Sequence, residues 1–240
     1  MAKPPKHRST TGELAKSSSG EIDKFLTRSQ VLAERADSGA RLLFAIDATA
    51  SRQPTWDRAC QLQGQMFLAT QNLGGLSVQL AYYRGMNELR ATKWRVDEHA
   101  LLRQMSRVSC EGGMTQIERL MNHALKEHRQ QAVKALVFIG DACEENPDRL
   151  AGKAGELGIA GLPMFVFQEG ADPQAQSAFK QMAKLSGGAW AQFDHGSPHQ
   201  LAELLGAVAR YAAAGTSAML EHGTAGSGSV KLLLEQLNRD

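Results

Sequence analysis

The sequence predicts a doubly wound α/β fold, with a mostly parallel six-stranded sheet, one antiparallel edge strand and helices on both faces. From Arg41 onwards, short apolar runs alternate with longer stretches whose apolar residues recur at spacings of three and four. That alternation is typical of strand–helix–strand units. Only the four residues from Arg84 to Asn87 separate the second apolar run from the third, which is too short for a crossover helix. Those two strands should therefore form an antiparallel hairpin, and the rest of the sheet should be parallel.

Each predicted element is a periodic run that lies between turn residues. In chain order, the predicted strands are Leu42 to Ile46, Ser77 to Tyr83, Glu88 to Trp94, Ala135 to Ile139, Pro163 to Phe167 and Ala189 to Phe193. The predicted helices are Thr55 to Gln71, Asp97 to Ser109, Gln116 to Gln131, Asp148 to Leu157, Pro173 to Leu185 and Pro198 to Ala213. Gly187 and Gly215 follow two of these helices, where C-terminal caps are expected.

The predicted α/β domain covers residues 41–214, and segments of different composition flank it. Residues 1–19 are rich in Lys, Pro, Ser and Thr, so we expect a disordered tail without a secretory signal. A capping-box spacing of Ser18 and Glu21 predicts a helix over residues 20–36. Residues 215–240 should form a flexible Gly/Ser/Thr-rich linker and then a short amphipathic helix, which we expect to dock on its own domain.

Composition argues against several classes of partner. The chain has 240 residues, a formal charge of +2 and 6% aromatic residues, which gives little support for nucleic-acid binding. No apolar run reaches the roughly 18 residues that a membrane-spanning helix needs, so we expect no membrane association. The three cysteines form no Cys-x-x-Cys pair, which favours a reducing compartment and therefore a cytoplasmic location.

Five oxygen-bearing side chains at predicted strand or helix ends form the strongest functional pattern. We call them the five candidate ligands: Asp47, Thr49, Ser51, Thr115 and Asp141. The two aspartates follow the first and fourth predicted strands, so they should lie at the same edge of the sheet, where α/β proteins bind ligands. Unpaired carboxylates at neighbouring strand ends repel each other, and a divalent cation would remove that repulsion.

The three hydroxyl residues lie on loops that can turn toward the same point. Thr49 and Ser51 occupy alternate positions after Asp47, and Thr115 follows a glycine-containing loop just before a predicted helix. Carboxylates, hydroxyls and waters suit Mg²⁺, Mn²⁺ or Ca²⁺, whereas the lack of clustered His and Cys argues against zinc. The same residue types are also common as helix caps and turn residues. The pattern therefore predicts a metal site, with a set of structural caps as its alternative.

The order of these ligands resembles the metal-ion-dependent adhesion site (MIDAS) of von Willebrand factor A-type (vWA) domains. The resemblance rests on Asp-x-Thr-x-Ser at residues 47–51, a threonine in a later loop and an aspartate after a later strand, and it covers Arg41 to about Ala214. Asp-x-Ser-x-Ser is commoner in that family, so Thr49 departs from the pattern but keeps the hydroxyl. The later loop usually reads Asp-Gly in the family, whereas Ala142 follows Asp141 here.

The resemblance implies a Rossmann-like vWA fold and a divalent cation, Mg²⁺ or alternatively Mn²⁺ or Ca²⁺. The three hydroxyls would bind the cation, and the two aspartates would act directly or through water. One coordination position would stay open for an Asp or Glu of a partner protein. The implied function is non-enzymatic: a cation-dependent interaction module, and by analogy an accessory subunit of an intracellular assembly such as an AAA-type ATPase or chaperone assembly.

Two other functions compete with this interpretation. The first is a small hydrolase that uses a metal-activated water or Cys143, because some doubly wound cysteine hydrolases combine a strand-end Asp, a Lys and a Cys. Here Asp47 and Lys93 would be the companions of Cys143, although a buried, inert thiol is the favoured interpretation. The second is a metal-free scaffold that recruits a partner through its C-terminal helix.

Three glutamates, Glu111, Glu144 and Glu145, lie on or beside the loops of the predicted site. Their charge could steer a basic partner surface toward the site. We interpret them as solvated loop residues, which is the commoner use of glutamate.

Overall fold

Six strands form a single sheet in the computed structural model, which describes residues 39–62, 64–70, 73, 75–194, 198–223 and 228–238. The strands are β1 (Ala40–Asp47), β2 (Leu76–Arg84), β3 (Glu88–Ala91), β4 (Ala135–Gly140), β5 (Met164–Glu169) and β6 (Trp190–Phe193). Their order is β3-β2-β1-β4-β5-β6. All neighbours are parallel except β2 and β3, which are antiparallel. The predicted doubly wound sheet with one antiparallel edge strand is confirmed.

Helices follow the strands on both faces of the sheet. They are α1 (Gln53–Leu62), α2 (Gly64–Leu68), α3 (Glu98–Met105), α4 (Ile117–Gln130), α5 (Pro147–Ile159), α6 (Pro173–Leu185), α7 (Pro198–Gly223) and α8 (Gly228–Leu237). A 3-10 turn, Ala50–Arg52, precedes α1.

Several predicted boundaries are wrong. The helix predicted over Asp97 to Ser109 ends at Met105. The helix predicted from Thr55 is split into α1 and α2. The third strand ends at Ala91 because the Thr92 hydroxyl accepts a hydrogen bond from the backbone N–H of Leu80, which replaces the next step of the ladder.

The core has two layers because successive residues of β1 are buried on opposite faces of the sheet. Leu42, Phe44 and Ile46 pack with residues of α1 and α7, whereas Leu43 and Ala45 pack with residues of α4, α5 and α6. A central parallel strand that is covered on both faces has no polar side, which explains its continuous apolar sequence. The strand ends, in contrast, are where polar residues reach the surface.

The linker predicted from Gly215 is wrong over its first part, because α7 continues to Gly223. Ala214 and Gly215 interrupt the helix with non-helical backbone angles, and the φ of +78° at Gly215 suits glycine. Beyond this kink, Met219 is fully buried and Ala218 nearly so. Packing of these side chains overrides a composition that is typical of linkers. Residues 224–227 lie outside the described residues, as do the tail predicted over residues 1–19 and the helix predicted over residues 20–36.

The C-terminal helix α8 packs on its own domain. Val230, Leu233 and Leu234 are buried in the same core layer as α7. The amide of Gln236 accepts a hydrogen bond from the backbone N–H of Trp190 and donates one to its carbonyl, both at 2.9 Å, so it pairs with the open edge of β6. The burial of this apolar face argues against the scaffold alternative, which needs it for a partner. No described helix has both the length and the apolar character needed to cross a membrane.

Helices α5 and α6 approach closely at one of the glycines of α5, and substitutions at two of these glycines can test that approach. A Cβ at Gly158 would overlap the carbonyl oxygen of Leu185, whereas a Cβ at Gly152 would meet no described atom within 4 Å. We expect Gly158→Ala to lower the free energy of unfolding by about 1–3 kcal/mol, because the helices must separate. Gly152→Ala should raise it by about 0.5–1 kcal/mol, because alanine favours a helix. Urea denaturation measures both values, and equal effects of the two substitutions would contradict this close approach.

Candidate metal centre

The five candidate ligands line one cavity of about 200 Å³ at the carboxyl ends of β1 and β4. Three loops meet there, one after each of these strands and one before α4. The remaining lining residues are Ala50, Gly112, Gly113, Ala142 and Glu144. The structure therefore brings together all of the residues that the sequence assigned to a metal site.

Asp47 is the most buried of the five, with a relative exposure of 1%. Its Oδ1 accepts the backbone N–H of Thr49 at 2.7 Å, and its Oδ2 accepts the hydroxyl of Tyr83 at 3.1 Å. Burial raises the pKa of Asp47 above its usual value, and the nearby Asp141 raises it further, while Thr49 and Arg52 act in the opposite direction. The carboxylate is thus fixed in place but is costly to ionise without a cation.

The 3-10 turn decides which way the residues after Asp47 face. The backbone N–H of Arg52 donates to the carbonyl of Thr49 at 2.9 Å and closes the turn. Thr49 is half-buried and Ser51 is exposed, and both line the cavity, whereas Arg52 is directed inward with 1% exposure. Thr49 and Ser51 therefore both reach the cavity, as their spacing predicts, and Ala50 between them lines it as well.

Thr115 is tied to the loop after β4 by a reciprocal pair of hydrogen bonds. Its hydroxyl accepts the backbone N–H of Glu144 at 3.2 Å, and its own backbone N–H donates to Oε2 of Glu144 at 3.1 Å. This pair holds the hydroxyl of Thr115 at the cavity wall. Glu144 is an exposed loop residue, as predicted, and it also lines the cavity.

Glu145 caps α4 from a distant loop. Its carboxylate accepts the backbone N–H groups of Ile117 at 2.5 Å and Glu118 at 3.0 Å, which are orphan donors in the first turn of a helix. The N-cap residue Gln116 makes no side-chain cap of its own. This role was not predicted from the sequence, because Thr115 just before the helix is itself a possible cap residue and Glu145 lies 28 positions away.

The glycine-containing loop before Thr115 packs against the β2–β3 turn. A Cβ at Gly113 would overlap the carbonyl of Gly85, so only glycine allows the two backbones to approach this closely. The backbone N–H of Glu111 donates to the carbonyl of Ala48 at 3.0 Å, and its carboxylate pairs with Arg84 at 2.8 Å. Glu111 is therefore an exposed loop residue, as predicted, that is also anchored by these contacts.

A buried ion pair lies behind Asp141. The guanidinium of Arg52 donates a hydrogen bond to Glu169 at the end of β5, and its Nη1 lies 3.6 Å from Oδ2 of Asp141. The hydroxyl of Thr55, in the first turn of α1, donates to the same Glu169 oxygen. These residues were not predicted from the sequence, although an arginine beside the ligand motif and a glutamate ending an apolar strand are visible signals.

The donor set fits a hard divalent cation. It combines two carboxylates with three hydroxyls, all oxygen, which suits Mg²⁺ better than a metal that prefers nitrogen or sulfur. Among the described residues there is no cluster of three or more His, Cys, Asp or Glu side chains that could hold a metal. A cation here would thus depend on hydroxyls and waters to complete its coordination.

The structure does not bring together the three residues of the cysteine-hydrolase alternative, Asp47, Lys93 and Cys143. Cys143 is 6% exposed, its thiol points to the carbonyl of Glu145, and burial raises the pKa of that thiol, which disfavours the nucleophilic thiolate. Lys93 is exposed and follows β3, which β2 and β1 separate from the strand that precedes Cys143. Two strands therefore separate the lysine from the strand that leads to the thiol.

No protein-family model and no curated protein matches the chain. Solved structures do share its fold. A von Willebrand factor type A structure from Catenulispora acidiphila has a TM-score of 0.59 and 17% identity, over 72% of this chain and 42% of that one. The SpRpn10 VWA domain has a TM-score of 0.54 and 13% identity, over 70% of this chain and 94% of that one. Proximal thread matrix protein 1 from the mussel byssus, with a zinc-occupied MIDAS motif, has a TM-score of 0.53 and 13% identity, over 71% of this chain and 46% of that one.

These comparisons show that the chain has the vWA fold, as its sequence predicts. At 13–17% identity they describe the fold alone. The chain spans less than half the length of the first and third of these structures. The chemistry of the cavity must therefore be argued from the residues of this chain.

Replacing Asp47 by asparagine should stabilise the cation-free protein at neutral pH. Because the folded pKa is raised, the stability that Asp47 contributes is complete below its unfolded pKa and is lost as the pH rises through the folded value. The amide of an Asp47→Asn variant does not titrate, so the variant should lose less stability than the wild type as the pH rises from about 4 through the folded pKa of Asp47.

Thermal unfolding in the presence of a chelator measures this difference. The exposed Asp57→Asn substitution is the matched control, since it removes the same charge from the surface of α1. Parallel stability curves for wild type and the Asp47→Asn variant would show that burial of Asp47 carries no cost.

Proposed function

We propose that this vWA-fold domain is a non-enzymatic protein-interaction module that depends on a divalent cation. The cation would be held by the five candidate ligands and would capture an Asp or Glu side chain of a partner protein. The observation that carries the proposal is the convergence of all five ligands on one open cavity. A set of unrelated helix caps would have no reason to share a single cavity.

The chemistry of the cavity supports a bridging role for the cation. Three of the five ligands are neutral hydroxyls, so the cation would keep enough positive charge to attract a further carboxylate. Ser51 is exposed and the side chain of Asp141 is 30% exposed, so the cavity is accessible from solvent. An acidic side chain of a partner could therefore reach the open coordination position.

Mg²⁺ is the cation we propose, with Mn²⁺ and Ca²⁺ as alternatives of similar ligand preference. The mussel protein holds zinc in its MIDAS motif, which supports a divalent cation in this type of site. The oxygen-only donor set of this chain favours Mg²⁺ over zinc.

A cytoplasmic location and an accessory role in a larger assembly complete the proposal. The location rests on the sparse cysteines, because no Cys-x-x-Cys pair or disulfide framework is apparent in the sequence. An AAA-type ATPase or chaperone assembly as the partner rests on analogy with intracellular proteins of this fold. We propose neither a nucleic-acid partner nor a membrane partner.

Titration of Mg²⁺ and Mn²⁺ into the protein tests the metal centre. We expect one ion to bind saturably to the wild type and not to Asp141→Asn, which keeps the shape of the side chain but removes its charge. Isothermal titration calorimetry measures both. The control is Asp148→Asn, in the first turn of α5 outside the cavity, which should bind the ion like the wild type.

Capture of a partner carboxylate is tested separately from metal binding, by retention of peptides on the domain. Peptides that contain Asp or Glu, beside the matched Asn or Gln peptides, should be retained by the immobilised domain only when Mg²⁺ is present. Retention that is equal with and without a chelator, or equal for acid and amide, would contradict cation-dependent capture even if the ion itself binds.

A further inference from the structure

We infer that Arg52 and Glu169 set the cation affinity of the metal centre as a pair: Arg52 competes with the cation for Asp141, and Glu169 limits that competition. The inference rests on the proposed function, because it concerns the cation that the five candidate ligands would hold. Neither residue lines the cavity. Both are positioning residues, which act through Asp141 and through the electrostatic effect of their own charges.

The geometry places one guanidinium nitrogen between two carboxylates. Nη1 of Arg52 is hydrogen-bonded to Glu169 and lies at ion-pair distance, 3.6 Å, from Oδ2 of Asp141. The side chains of Arg52 and Glu169 are 2% and 3% exposed, whereas that of Asp141 is 30% exposed. The arginine is therefore bound mainly to the buried partner, and Asp141 remains directed toward the cavity.

The guanidinium of Arg52 has hydrogen-bond donors that Glu169 does not use. Its Nε and Nη2 atoms are buried and have no hydrogen-bond partner among the described residues. Glu169, in contrast, accepts hydrogen bonds from both Arg52 and Thr55. A buried guanidinium whose N–H groups lack acceptors favours contact with a further carboxylate, and Asp141 lies at ion-pair distance.

A cation bound at Asp141 would interact electrostatically with the positive charge of Arg52 and the negative charge of Glu169. Arg52 repels it, and the low exposure of the pair leaves that repulsion weakly screened. Glu169 attracts it and also holds Arg52 away from Asp141. Removing the charge of Glu169 should thus weaken cation binding, and removing the charge of Arg52 should strengthen it.

Opposite signs separate this role from a purely structural one. An ion pair that only stabilises the fold would make both single substitutions destabilising, and both would loosen the site in the same direction. The pair proposed here predicts one gain and one loss of affinity, and it predicts that the double substitution largely cancels them.

Calorimetric titration of Mg²⁺ and Mn²⁺ into Glu169→Gln, Arg52→Gln and the double variant tests the inference. We expect the affinity to fall by about tenfold or more in Glu169→Gln and to rise by about tenfold in Arg52→Gln, with the double variant near the wild type. Glu156→Gln is the matched charge control, since its exposed carboxylate pairs with Lys153 away from the cavity. Its affinity should equal that of the wild type.

Circular dichroism establishes which variants are folded. If Arg52→Gln does not fold, weakened binding in Glu169→Gln together with its restoration in the double variant still supports the inference. If the wild type binds one ion but both single variants bind more weakly, or neither changes, the inference is wrong while the metal centre stands. If the wild type binds no ion, the proposed function fails and the inference fails with it.

Discussion

The pairing of β1 with β4 is the constraint on which the candidate site depends. The two strands run in parallel with Ile46 opposite Ile139, so Asp47 and Asp141 leave the sheet side by side at one edge. Two acidic groups so placed cannot both be ionised and unpaired without repulsion. The structure compensates part of that charge with a tyrosine hydroxyl, a backbone N–H and a buried arginine. A cation would complete the compensation.

Hydrogen bonds between loops, more than apolar packing, fix the positions of the other ligands. Thr115 and Glu144 exchange two hydrogen bonds, Glu145 caps α4, and the backbone of Glu111 bonds that of Ala48. Each loop of the cavity is thus held by a polar group of another loop. Such mutual support holds the ligands in place before a cation arrives, which lowers the cost of binding it.

The parts that the sequence could predict are those with a local signal. The apolar run of β1 and the aspartate that ends it lie next to each other in the chain, and so do the alternate hydroxyls that follow. The Arg52–Glu169 pair joins residues 117 positions apart, and the cap joins Glu145 to Ile117, 28 positions away. No periodicity encodes such contacts. The extension of α7 was missed for a different reason, since burial of Met219 overrides the composition around it.

The cost of burying charge at this edge has a functional consequence. A protein that is selected only for stability would replace Asp47, whose ionised form is disfavoured by burial, with a neutral residue. Cation binding would return that stability by mass action, because the ion binds the folded state and not the unfolded one. Since Asp141 would share its charge between the cation and Arg52, the cation would be less completely neutralised than by two free aspartates. The positive charge that remains is what an incoming carboxylate would meet, so the same arginine that weakens cation binding would strengthen the capture of a partner.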